Sequence, residues 1–261
     1  MINNKYKIER YLNQGNFGTV YICSYNNKNY AVKCDSDGDS NLLKYEANIY
    51  KELRSVYKIS KLVDFFLFDS KYYMVLDLFE LNLTDFKDRF FNSPYYEEKL
   101  FIIINKVINI LRDIHNCGVV HRDLKPPNIC LDKNLEPYII DFGMAKKIII
   151  NNKHIEERNI HDIIGSPNYV SLNVVNLLEP TRRDDIESLI YIMIYLIVNN
   201  KDYVAYTNNT LETQKSTFKI SEILSQYNND INLKLLNILM YLRKLNFSQI
   251  PNYEYIKKLC V

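Results

Sequence analysis

The chain has 261 residues, 47% of them hydrophobic and 25% charged, with a formal net charge of +2. That length allows one large domain or two lobes around a cleft, and the composition is that of an ordinary soluble globular protein. A charge this small excludes any argument for nucleic-acid or membrane binding from charge alone.

The five cysteines, Cys23, Cys34, Cys117, Cys130 and Cys260, are odd in number and scattered. They read as free thiols of a reducing compartment, so a cytoplasmic or nuclear location is expected. Met1 to Arg10 has no signal-peptide core, and the longest apolar run, Leu189 to Val198, is too short to span a bilayer. The sequons at Asn82, Asn208 and Asn246 therefore carry no weight. Abundant Asn, Ile, Lys and Tyr, with six Gly and no Trp, suggest an AT-rich genome such as that of a large DNA virus or a protist.

In chain order, alternation of apolar and polar residues predicts strands at Tyr6 to Leu12, Thr19 to Tyr25 and Lys28 to Lys33, with a turn at Asn26-Asn27. A polar loop, Asp35 to Ser40, precedes a predicted helix from Asn41 to Val56. Strands follow at Leu62 to Asp69 and Tyr72 to Asp77, and a short hinge at Leu78 to Leu81. Beyond Phe79 the pattern turns helical, with helices predicted at Leu100 to Asn116, Arg183 to Val198 and Ile231 to Leu245. The result is an α+β chain, a small strand-rich part (about 1–79) with one main helix and a larger helical part (about 80–261), read as a single domain.

Four of the six glycines fall inside motifs. Asn13-Gln14-Gly15-Asn16-Phe17-Gly18-Thr19-Val20 joins two strands, and a hairpin without side chains at Gly15 and Gly18 lets backbone N–H groups approach phosphate oxygens. Alone this segment decides nothing. Asn13 stands where a third glycine would complete the pattern, and asparagine tolerates the positive φ that such a turn would require. Tyr30-Ala31-Val32-Lys33 follows on the next strand, and Glu46 lies on the following predicted helix. His121-Arg122-Asp123-Leu124-Lys125-Pro126-Pro127-Asn128 and Asp141-Phe142-Gly143 lie further on. Asp35, Asp37, Asp39 and Glu46 imitate a calcium loop, but glycine falls at Gly38, two positions early, and the stretch reads as a solvated acidic loop.

Together these segments resemble, in order and spacing, the motifs of protein kinases. The resemblance implies a bilobal kinase fold that uses ATP and Mg²⁺. Lys33 would contact the α- and β-phosphates and pair with Glu46, Asp123 would take the substrate hydroxyl proton, and Asn128 and Asp141 would hold Mg²⁺. Lys125, two residues after Asp123, would neutralise the transferred phosphoryl group. Lysine there marks serine/threonine kinases.

Gly165-Ser166-Pro167-Asn168-Tyr169-Val170-Ser171-Leu172-Asn173, Thr181-Arg182-Arg183-Asp184-Asp185-Ile186-Glu187-Ser188-Leu189 and Pro251-Asn252-Tyr253-Glu254-Tyr255-Ile256 narrow the match. They are similar to segments of the casein kinase I group, which includes the vaccinia-related kinases. That resemblance implies that Asp185 caps the catalytic loop and that Ser166 bonds near Asp123 and Lys125. It builds the ATP site from Asn13, Gly15, Gly18, Val20, Ala31, Lys33, Leu76 as gatekeeper, Leu78 and Cys130, where the family usually has Leu. Arg158 matches one member of the group's basic anion site, while His161 and Asn168 replace its Lys and Arg, so a preference for phosphorylated substrates is expected to be weak. No Ser, Thr or Tyr lies between Gly143 and Gly165, so constitutive activity is expected.

The resemblance thus implies a serine/threonine kinase acting on protein hydroxyls as a monomer, with no nucleic-acid or membrane partner. The chain lacks the long tail of many relatives, so tail-based inhibition is not expected. The alternative, a nucleotide-binding pseudokinase acting as a scaffold, draws on Asn13, Pro127 and shortened helices after Asn200. A small-molecule phosphotransferase is disfavoured by the Ser166 to Asn173 and Thr181 to Leu189 segments.

Overall fold

The computed structural model describes residues 1–15, 18–35 and 40–259. The amino-terminal part is an antiparallel five-stranded sheet: β1 (Lys7–Gly15), β2 (Gly18–Tyr25), β3 (Lys28–Cys34), β4 (Leu62–Phe68) and β5 (Lys71–Asp77), in the order β1-β2-β3-β5-β4. The β2–β3 and β4–β5 hairpins are closed without glycine. Asn26-Asn27 and Asp69-Ser70 each place two residues at positive φ (49° and 59°, 47° and 61°), the conformation that a two-residue type I′ turn demands. The abundant asparagine does the work usually given to Asn-Gly, which is why a chain with six glycines can build tight turns.

Period-two alternation sends the β5 side chains to opposite faces. Met74 and Leu76 face the main core with helix α1 (Ser40–Glu52), whose Leu43, Ala47 and Tyr50 are buried. Val75 points the other way, joining Val32, Cys23 and Tyr6 in a smaller cluster. Tyr6 stacks parallel to Phe66 at 5.9 Å. Helix α1 ends four residues before the sequence pattern suggests, because the chain turns at 53–55.

After the linker at 78–80 come β6 (Leu81–Asn82), α2 (Leu83–Phe90) and α3 (Tyr96–Asn116), the last starting four residues earlier than predicted. Asn82 caps α2, accepting the Thr84 and Asp85 N–H groups, while Asp85 accepts the Asn82 N–H in return. Short strands β7 (Val119–Val120), β8 (Ile129–Leu131), β9 (Pro137–Ile139), β10 (Lys146–Lys147), β11 (Ile149–Ile150) and β12 (Lys153–His154) frame the loops between α3 and α4 (Leu172–Val175). Helices α5 (Arg182–Ile197), α6 (Asn200–Thr207), α7 (Leu211–Gln214), α8 (Thr217–Leu224), α9 (Asn229–Arg243) and α10 (Tyr253–Leu259) complete the larger, helical lobe.

Helix α5 is buried on nearly every side, so the run Leu189 to Val198 is the axis of this lobe and not a membrane span. Its carboxyl end is capped by Lys87, a buried ammonium 2.6 Å from the Tyr195 carbonyl and 2.8 Å from that of Val198. No helix among the described residues is long and apolar enough to cross a membrane. No disulfide joins any of the four described cysteines to another. Asp35 corrects the solvated-loop reading: it is buried and accepts the Tyr72 N–H at 3.1 Å. The other two aspartates of that imitation, Asp37 and Asp39, lie outside the described residues.

Candidate active site

The cleft between the lobes is built from both sides. From above, β3 supplies Lys33 and α1 supplies Glu46, and the two side chains meet in a buried ion pair at 2.7 Å. From below, the segment after β9 supplies Asp141, 2.9 Å from the same ammonium. Burial works against the Lys33 charge, but its two carboxylate partners more than offset it and hold the ammonium above its ordinary pKa. Burial would likewise raise the Asp141 carboxyl; Lys33 holds it below the usual carboxylate range. Lys33 and Asp141 therefore stay charged at neutral pH.

Asp123 sits at the bottom of the cleft. One of its oxygens accepts the Lys125 ammonium at 2.7 Å, and the other accepts the Ser166 hydroxyl at 2.7 Å. The Asn128 amide donates to the Asp123 carbonyl at 2.9 Å, which turns its own carbonyl oxygen away from that bond. Pro126 and Pro127 open a 3₁₀ turn at its first two positions, where an N–H has no partner to lose. Pro127 therefore leaves the position of Asn128 intact.

This loop is held in a costly backbone conformation. Arg122 has φ +68°, in the left-handed region that non-glycine residues rarely adopt. Asp185, from the first turn of α5, secures it: its carboxylate accepts the N–H groups of His121 (2.7 Å) and Arg122 (2.9 Å). Burial alone would raise the Asp185 carboxyl, but its bond to His115 holds it below the ordinary value. His115 in turn meets the Tyr253 hydroxyl at 2.7 Å. The carboxyl-terminal Pro251 to Ile256 segment thus reaches the catalytic loop through two side chains. Gly165, at φ +104°, crosses the loop so closely that a Cβ would lie 2.4 Å from the Arg122 carbonyl oxygen.

The residues expected at the adenine lie along the sheet and in β8. Ala31 pairs with Leu76 across β3 and β5, and Val20 pairs with Lys33 across β2 and β3. Leu76 is buried and Leu78 half-buried at the start of the linker. Cys130 is a buried residue of β8, and burial pushes its thiol up to about 12. Asn13 lies exposed in β1, opposite Val20, and is not among the residues at positive φ. The first glycine of the pattern is thus dispensable here, because the strand stays extended. Gly15 pairs with Gly18, whose φ of +134° favours glycine, while Asn16 and Phe17 between them lie outside the described residues.

A group that sequence reasoning missed lies beside the catalytic loop. Glu179 is fully buried, and its carboxylate takes three cations: Lys146 at 2.8 Å, Arg158 at 2.7 Å and Arg122 at 3.3 Å. Burial would raise its pKa, and Lys146, Arg158 and Arg122 bring it below the usual value. Arg122 also donates to the Met144 carbonyl at 2.6 Å. The residue next to the catalytic Asp is thereby tied to the segment after Asp-Phe-Gly by an internal carboxylate.

The protein kinase domain model matches residues 6–255 of this chain. The chain belongs to the protein kinase family. A protein described as a "probable casein kinase I homolog" from Encephalitozoon cuniculi (strain GB-M1) is 31% identical over 266 residues, covering 97% of this chain and 83% of that protein. The kinase is accordingly of the casein kinase I type, with a β-rich and a helical lobe.

Asp141 and Asn128 carry side-chain oxygens, the donor type that Mg²⁺ takes. Among the described residues no cluster of three or more His, Cys, Asp or Glu could hold a metal ion. Mg²⁺ binds through one or two protein oxygens plus substrate phosphates rather than in an all-protein cage. Asp141 and the Asn128 carbonyl oxygen are the two protein groups that would hold it.

Proposed function

We propose that this kinase transfers the γ-phosphate of Mg·ATP to serine or threonine hydroxyls of proteins, without needing a phosphorylated activation segment. The observation that carries this is the Lys33 ammonium bridging Glu46 at 2.7 Å and Asp141 at 2.9 Å. That bridge forms the Lys–Glu pair that kinase chemistry needs and brings it beside the carboxylate that would hold Mg²⁺. Two of the three features behind the alternative of a nucleotide-binding scaffold lose force, because Asn13 lies in β1 without a positive φ and Pro127 at a position with no N–H to lose.

In the reaction, Asp123 accepts the proton of the substrate hydroxyl. The freed oxygen bonds to the γ-phosphorus while the bond to the bridging β,γ-oxygen breaks, releasing ADP. Lys125, beside Asp123, meets the charge on the moving phosphoryl group. Lys33 orients the α- and β-phosphates. Bound Mg²⁺ would supply further charge neutralisation on the β- and γ-oxygens. Ser166 fixes one Asp123 oxygen and leaves the carboxylate aimed by two donors.

Independence from activating phosphorylation rests on Glu179. A phosphate in the activation segment ordinarily supplies the anion that pairs with the Arg beside the catalytic Asp. Here no Ser, Thr or Tyr lies between Gly143 and Gly165, and Glu179 supplies that anion from within.

Arg158, matched to the family's anion site, is already bound to Glu179, and His161 and Asn168 add no fixed charge. Peptide pairs differing only in an upstream phosphoserine are therefore expected to be phosphorylated with kcat/KM values within about threefold of one another. A preference of about thirtyfold or more would contradict the reading. For the activity itself, labelled ATP, casein and phosphoamino-acid analysis are decisive. Label on serine and threonine supports the proposal; label on tyrosine alone, or none, overturns it.

A further inference from the structure

Helix α1 touches the Asp141 segment through more than Glu46. Tyr50, one helical turn after Glu46 and on the same face, is buried, and its hydroxyl oxygen accepts the backbone N–H of Asp141 at 3.1 Å. Its ring meets that of Phe142 edge-on at 5.1 Å, and Phe142 in turn packs against His121 at 5.0 Å. Tyr45, from the same helix, donates its hydroxyl to the Ala145 carbonyl at 3.1 Å.

Asp141 needs such support. Its φ is +64°, a conformation that costs a non-glycine residue energy and persists only where the surroundings over-determine it. A ring in place of Tyr50 without the oxygen would keep the packing and take the acceptor from a part-buried Asp141 N–H, a costly arrangement.

From this geometry we infer that Tyr50 is a positioning residue for metal-dependent nucleotide binding: its hydroxyl holds the Asp141 backbone in the left-handed turn that presents the carboxylate to Mg²⁺. The inference rests on the kinase reading. It adds to that reading a hydroxyl outside the motifs that identify the family. Tyr50 touches neither substrate nor metal and acts only through Asp141. Removing its oxygen should therefore weaken the step that needs Asp141 in place, and spare the steps that do not.

The test is Tyr50→Phe, with ATP affinity measured by calorimetry in EDTA and across a magnesium titration. Wild type is expected to bind more tightly as magnesium rises. In the variant the half-saturating magnesium concentration is expected to increase about tenfold, the factor a lost buried hydrogen bond carries. Affinity in EDTA and KM for the peptide are expected to stay within about twofold on the same basis. An unchanged magnesium titration in a folded variant overturns the inference, as does an equal loss of affinity in EDTA.

A second measurement covers a variant that fails to fold. In wild type, amide exchange at Asp141 is expected to be slow, and exchange at the rate of an open amide overturns the bond itself. If wild type binds ATP with no magnesium dependence, the kinase reading fails and takes the metal role of Tyr50 with it. Magnesium dependence in wild type that Tyr50→Phe leaves untouched defeats this inference alone.

Discussion

Replacing Glu179 by glutamine keeps the shape of the side chain and removes the one anion that three cations share. Arg158 is 68% exposed in its side chain, so its pairing contributes little. Arg122 and Lys146 are 15% and 21% exposed, and their partner is fully buried. Two charge-assisted hydrogen bonds of this kind are worth roughly 1.5–3 kcal/mol each, and the glutamine oxygen recovers about half, which leaves a loss of about 1.5–3 kcal/mol. In a protein of this size that lowers the midpoint of thermal unfolding by about 3–12 °C.

The pH dependence has a definite sign. Glu179 has a folded-state pKa below its ordinary 4.5, so its contribution is fully present above pH 4.5 and disappears as pH falls through the lower, folded value. The gap between wild type and Glu179→Gln should thus be constant from about pH 8 to 5 and close in more acidic buffer. Scanning calorimetry across that range, together with peptide kinetics, is the assay. A fall of about tenfold in kcat/KM for peptide, with KM for ATP unchanged, is expected if the tie orders the activation segment. Equal unfolding midpoints at pH 7.5 together with unchanged kinetics would refute the claim that Glu179 replaces an activating phosphate.

Two other outcomes are expected. Asp185→Ala removes the acceptor of two catalytic-loop N–H groups and the partner of His115, so kcat should fall at least about 100-fold, consistent with the loss of two buried charge-assisted bonds; full activity in that variant would mean the loop holds its own shape. Cys130, buried and with its thiol pushed up to about 12, should resist iodoacetamide at pH 7.5 in the native protein and react after denaturation. Rapid native alkylation at Cys130, mapped by mass spectrometry, would contradict its place in the floor of the cleft.

Much of this molecule could be read from the chain because its chemistry is local. The His121 to Asn128 and Asp141 to Gly143 segments are short, contiguous and rich in rare residue types, and strand alternation marked the sheet to within two or three residues at most ends. What escaped was chemistry that depends on distant segments meeting. Glu179 follows a mostly apolar stretch, Val174 to Leu178, and the only hint of its role is a lone acid in that setting. Its three partners come from positions 122, 146 and 158. His115 looks like the last turn of an amphipathic helix until Asp185 and Tyr253 close on it. Tyr50 reads as a core aromatic, and its hydroxyl matters only because Asp141 arrives beside it. The short helix α2 was missed for another reason: its eight residues are too few for a periodic pattern to stand out. The reading of Asn13 erred in assuming that every glycine of a family pattern marks a positive φ.

The most direct measurement is single-turnover transfer from Mg·ATP to a peptide hydroxyl by wild type and by Asp123→Asn, with nucleotide affinity determined on the same samples. Transfer by wild type, and a drop of about 1000-fold or more in the variant at matched ATP affinity, is the predicted result for loss of the proton acceptor. Comparable rates from both proteins, or a wild type that holds Mg·ATP tightly and never transfers its phosphate, would contradict it.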